Sequence, residues 1–227
     1  MKLAEVVPWG RSRREYERMF GLTATDLTKR ILGVGDGPAS FNAEMALAGH
    51  NVTSIDPIYA FSASELRERI GATHQTIAEQ LKCNVNQYVW TDFQNAEAVI
   101  YTRMEAMSLF LSDYEQGLQQ ERYIPISLPD LPFPDSSYDL VLCSHLLFLY
   151  SEQLSEAFHL TSIKELVRVA NDVRIFPLVT LDGHVSPHLN SVLEYCKLNH
   201  IQADIIPVDY QFQKGAYQML RLLRKSL

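Results

Sequence analysis

Apolar residues in this chain fall into two patterns. Short, nearly continuous runs mark buried strands, and longer stretches spaced three and four apart mark amphipathic helices. Ser12-x-x-Glu15 boxes the start of a short helix whose apolar side is Tyr16, Met19 and Phe20. Ile31 and Leu32 predict a first strand, and Phe41, Met45 and Ala48 share one face of a helix with Pro38 in its first turn and Gly49 at its stop. Val52 to Ile55 reads as a second strand, and Ser62-x-x-Glu65 opens a helical pattern of Leu66, Ile70, Ile77 and Leu81 that Gly71 is expected to break in two. A longer amphipathic stretch from Asn95 to Leu118 carries Val99, Ile100, Met107, Phe110, Leu111 and Tyr114.

Tyr123 to Ser127 predicts a third strand, weakened by Pro125. Tyr138 to Cys143 predicts a fourth, and its Leu140-Val141-Leu142 run suits a central parallel strand covered on both faces. A helix with Ile163, Leu166, Val167 and Ala170 on one side is expected to stop at Asn171, before a fifth strand from Val173 to Thr180. Ser186 and Pro187 then read as N-cap and first residue of a helix burying Leu189, Leu193 and Cys196. Ala203 to Tyr210 and Ala216 to Leu223 are two last strands around Gly215. With no helix between them they must pair antiparallel.

The chemistry concentrates between Arg30 and Asp56. Gly33, Gly35 and Gly37 allow the backbone to turn tightly after the first strand and approach a ligand at the start of a helix. Asp56 closes the second strand nineteen residues past Gly37, where an acid accepts hydrogen bonds from ribose hydroxyls. Counting from Gly35, the dinucleotide pattern G-x-G-x-x-G fails at Ser40. Asp36, inside the turn, is a candidate for the same ligand or for the loop's own amides. Ser144 and His145 emerge at the carboxyl end of the fourth strand, where open α/β sheets bind ligands.

The Gly33-x-Gly35-x-Gly37 turn, Asp56 and the run Leu131-Pro-Phe-Pro-Asp-Ser-Ser-Tyr-Asp-Leu-Val-Leu-Cys-Ser-His145 together resemble the class I S-adenosylmethionine-dependent methyltransferases of the small-molecule type, over about residues 28 to 225. The resemblance implies a doubly wound, mostly parallel, seven-stranded sheet with a C-terminal antiparallel hairpin and helices on both faces. It implies S-adenosylmethionine as cofactor and a small or medium-sized acceptor as partner. It also implies that Ser127 and Leu128 meet the adenine through their backbones, because the acid many relatives carry there is absent. The acid that most relatives carry ahead of the glycine turn is Gly33 here. Within one domain spanning 1–227, residues 1–27 are expected as a helical cap and 84–120 as a helical insertion over the acceptor.

Methyl transfer needs orientation and a dry site more than a base. Where a base helps, His145 and Tyr150 are the candidates. Trp9 and Arg11, ahead of the first helix, are weighed as substrate contacts. Two other readings stay open: a catalytically silent binding domain of the same fold, and a nicotinamide-dependent oxidoreductase, which the glycine spacing and terminal hairpin disfavour.

Composition narrows the field further. The 227 residues, 47% of them hydrophobic, suffice for one core, and a net charge of −7 disfavours general nucleic-acid binding. Cys83, Cys143 and Cys196 form no C-x-x-C pair, and His184 and His188 flank a proline without a carboxylate pattern, so no metal site is expected. Met1 to Val7 is too short and mixed for a signal peptide, and no apolar run approaches the roughly 18 residues of a membrane span. A cytoplasmic protein is expected.

Overall fold

The computed structural model describes residues 9–224, and the side chains of 73–77 also lie outside the description, Ile77 among them. The seven strands are β1 (Ile31–Val34), β2 (Val52–Ile55), β3 (Tyr123–Ile124), β4 (Tyr138–Ser144), β5 (Ala170–Phe176), β6 (Ile201–Pro207) and β7 (Gln218–Arg224). They form one sheet in the order β3-β2-β1-β4-β5-β7-β6. The pairings are parallel from β3 to β5, while β7 runs antiparallel to both β5 and β6. This is the doubly wound sheet with a terminal hairpin that the sequence implies.

The helices are α1 (Arg13–Met19), α2 (Phe41–Leu47), α3 (Ala63–Cys83), α4 (Ala96–Gln119), α5 (Glu156–Val169) and α6 (Leu189–Leu198). Alternation along the strands divides the core between the two faces of the sheet. Ile31, Leu140 and Leu142 pack with Tyr16 of α1, Phe41 and Met45 of α2 and Val99 of α4. Leu32, Val34, Val141 and Cys143 pack with Ile163 and Leu166 of α5 and Val192 of α6.

Several boundaries differ from expectation. The capping boxes at Ser12 and Ser62 both form. Gly71 does not divide its helix, however, because it is exposed and the cost of one glycine, about 1 kcal/mol, is small beside the packing of Leu66, Ile70 and Leu81. Pro38 precedes α2 rather than starting it, since Ser40 is the N-cap. The third strand is cut to two residues just before Pro125. Asn171 does not stop α5: β5 begins at Ala170, and Asp172 is held in the strand by Arg174 at 2.9 Å and Arg221 at 2.8 Å. His188, not Ser186, caps α6, while Ser186 Oγ accepts from the His188 amide at 3.2 Å.

One buried polar knot joins segments far apart in sequence. Arg103 of α4, 2% exposed, donates from Nη1 to Glu15 of α1 and from Nη2 to the Tyr210 hydroxyl at 3.2 Å. Tyr210 in turn donates to Glu15 Oε1 at 3.0 Å. Burial alone would raise the Glu15 pKa, but the Arg103 charge and hydrogen bond hold it at about 2. A carboxyl depressed in the folded state stabilises fully above its ordinary 4.5 and loses that contribution as pH falls toward 2. Arg103→Met, which removes the direct ion-pair partner of buried Glu15, is expected to cost about 3–5 kcal/mol in urea denaturation at pH 7. The difference from wild type should shrink as the measurement moves from pH 4.5 toward pH 2.

Candidate active site

A cleft of about 460 Å³ lies at the carboxyl ends of the parallel strands. β1 delivers the glycine turn to it. Gly35 and Gly37 have φ of +70° and +53°, left-handed conformations that bring the bare backbone to the cleft wall. β2 delivers Asp56 directly opposite. Asp56 Oδ2 accepts from the Gly37 amide at 3.0 Å and Oδ1 from the Ile58 amide at 3.0 Å, which leaves each oxygen a lone pair for a ligand. Burial pushes the Asp56 pKa up to about 6 against these two amide bonds. Tyr59 Oη donates to the Gly37 carbonyl at 2.8 Å, and Tyr114 of α4 donates to the Tyr59 carbonyl at 2.9 Å, so the turn is braced from behind.

Asp36 and Gly33 form a unit that the sequence does not suggest. Gly33 lines no part of the cleft, contrary to expectation. It lies within β1, where an added Cβ would sit 1.9 Å from Asp36 Oδ2. The Asp36 carboxyl therefore folds back over the residue three positions earlier and occupies the space that a side chain at 33 would need. Tyr16 Oη donates to its Oδ1 at 2.8 Å and Ser54 Oγ to its Oδ2 at 2.6 Å. Burial raises the Asp36 pKa to about 7, with the Asp56 charge adding to it and the Ser54 and Tyr16 bonds opposing it.

β4 delivers Ser144 and His145, and β3 leads to Ser127 and Leu128; all four line the cleft, as do Asp36 and Tyr150. His145 is held at φ +51°, with its amide donating to the Phe176 carbonyl at 2.7 Å and its Nδ1 3.0 Å from Ser144 Oγ. Burial, and then the charges of Arg11 and Arg103, lower its pKa well below 6.5, so the imidazole is neutral near pH 7. Of the predicted site residues, only Gly33 stands apart from the cleft.

The other end of the cleft is aromatic and was not legible as a site. Tyr88 stacks on Phe212 at 4.7 Å, and Phe176 meets the His145 ring edge-on at 5.4 Å. These residues come from the loop before α4, the end of β5 and the connection between β6 and β7. Trp9 and Arg11 also line the cleft. Ser54, a polar residue fully buried in β2 that donates to Asp36, belongs to the site without lining the cleft. No group of three or more His, Cys, Asp or Glu suited to a metal ion occurs among the described residues, and no described helix is long and apolar enough to cross a membrane.

No family model matches the sequence. The uncharacterized protein MJ0045 of Methanocaldococcus jannaschii is 33% identical over 225 residues, covering 99% of each chain. Among solved structures, magnesium protoporphyrin IX methyltransferase from Synechocystis PCC 6803 with bound SAM aligns at a TM-score of 0.51 and 13% identity, over 94% of this chain and 79% of that one. The same enzyme with bound SAH aligns at 0.51 and 14% identity, over 94% and 83%.

The notch over Gly33 makes a steric prediction. Gly33→Ala should destabilise by about 1–3 kcal/mol in urea denaturation, because the new methyl displaces a hydrogen-bonded carboxyl. Combined with Asp36→Ala, the loss should be clearly smaller than the sum of the two single losses, the signature of two positions sharing one space.

Proposed function

The chain belongs to the family of its Methanocaldococcus relative and has the class I S-adenosylmethionine-dependent methyltransferase fold, and from that premise we propose that it binds S-adenosylmethionine and methylates a small acceptor. The observation that carries the reading is Asp56. It is a buried carboxylate at the end of β2, bonded to the amide of the glycine turn and keeping free lone pairs on the cleft side. That donor set suits a ribose, and the exposed backbone at Gly35 and Gly37 suits the close approach of the ligand's amino-acid end. Ser127 and Leu128 take the adenine, and Ser144 and His145 flank the point where β4 meets the ligand.

When bound, S-adenosylmethionine supplies a methyl group already activated by its sulfonium. The residues of this chain then have to orient the acceptor in line and exclude water. Tyr88, Phe176, Tyr210 and Phe212 give the acceptor end an apolar, aromatic wall; Tyr16 of α1 lines the same cleft, and α1 is tied to α4 behind it through Glu15 and Arg103. Orientation in such a site can supply about 7–11 kcal/mol of the barrier. His145, neutral and desolvated, acts here as a hydrogen-bond acceptor for the incoming group rather than as a strong base. Tyr150 lines the same wall and positions the acceptor.

Calorimetric titration with S-adenosylhomocysteine tests the reading. Wild type should bind, and Asp56→Ala should bind roughly tenfold to a hundredfold more weakly. No binding at millimolar ligand would leave a silent domain, and thermal protection by NAD alone would leave an oxidoreductase. Ribose hydroxyls bond to the ionised carboxylate, so binding favours deprotonation of Asp56. Affinity should therefore fall as pH drops through about 6 and level off above it, and Asp56→Asn should abolish that step.

A further inference from the structure

Arg11 lines the cleft and forms no ion pair among the described residues. Its segment is pressed onto the glycine turn: a Cβ on Gly10 would meet the Pro38 carbonyl oxygen at 2.1 Å, and the Arg11 carbonyl accepts from the Ser40 amide at 3.0 Å. The guanidinium spends one bond on the Trp9 carbonyl, from Nη1 at 3.2 Å, and its Nε is buried with no hydrogen-bond partner. Glu15 is the nearby acid, but Arg103 already pairs with it and Tyr210 also bonds to it. Two arginines thus share one glutamate beside an aromatic pocket. A half-buried guanidinium whose Nε is buried without a partner is costly unless an anion completes it, and its planar fork matches a carboxylate in bidentate fashion.

We propose that Arg11 is the carboxylate-binding residue of this cleft, completing its hydrogen bonds with a carboxylate brought in by the bound ligand. Two ligands can bring one. The amino-acid end of the methyl donor carries a carboxylate and passes the glycine turn to which Arg11 is tied. An aromatic acid in the acceptor end would present its own to the same fork. The first source rests on the donor reading above; the second does not.

Arg11→Met and Arg11→Lys, with thermal unfolding as a control for folding, distinguish these outcomes. The probes are S-adenosylhomocysteine, 5′-methylthioadenosine, which is the same nucleoside thioether without the amino-acid end, and benzoate. Arg11→Met is expected to weaken S-adenosylhomocysteine by roughly tenfold or more while leaving 5′-methylthioadenosine unchanged, with Arg11→Lys partly restoring affinity; this assigns the fork to the donor. Unchanged affinity for both nucleosides with loss of benzoate binding assigns it to the acceptor. Equal weakening of both nucleosides, or no change for any of the three probes, overturns the proposal. A wild type that binds benzoate through Arg11 but no S-adenosylhomocysteine would sink the donor reading and leave this one standing.

Discussion

The pairing of Glu15 with Arg103 is the interaction on which the cleft depends. Each charge is buried, and each would be expensive alone, so α1 and α4 are held together by the penalty for separating them as much as by attraction. Tyr210 closes the triangle from the connection that leads into β7. Three segments more than 80 residues apart in sequence are thereby fixed to one another. The aromatic wall of Tyr88, Phe176, Tyr210 and Phe212 takes its shape from that arrangement.

The same knot sets the electrostatics of the cleft. Glu15 pairs directly with Arg103 and is shared with Arg11 only at longer range, and the charges of both arginines join burial in keeping His145 neutral. In the same cleft, burial keeps Asp36 and Asp56 above the ordinary carboxylate range even though four donors serve them. One cation and two proton-sensitive acids thus line a single cleft.

Much of this architecture was legible because it rests on local rules. The capping boxes at Ser12 and Ser62, the doubly buried run of β4 and the adjacency of β6 and β7 follow from short-range patterning. The boundaries that shifted did so where a distant partner outweighed local preference. Asp172 is drawn into β5 by Arg174 and Arg221, and Gly71 stays helical because apolar residues on either side of it pack.

Glycine spacing, strand alternation and the acid after β2 determined the sheet, its hairpin and the position of the ligand edge, since each depends on residues close in sequence. Tertiary structure alone decided that Asp36 fills the space left by Gly33, that Arg103 pairs with Glu15, and that residues from three regions form one aromatic wall. The reason is physical: steric exclusion and charge pairing act between atoms brought together by folding, and no local pattern records which distant groups will meet.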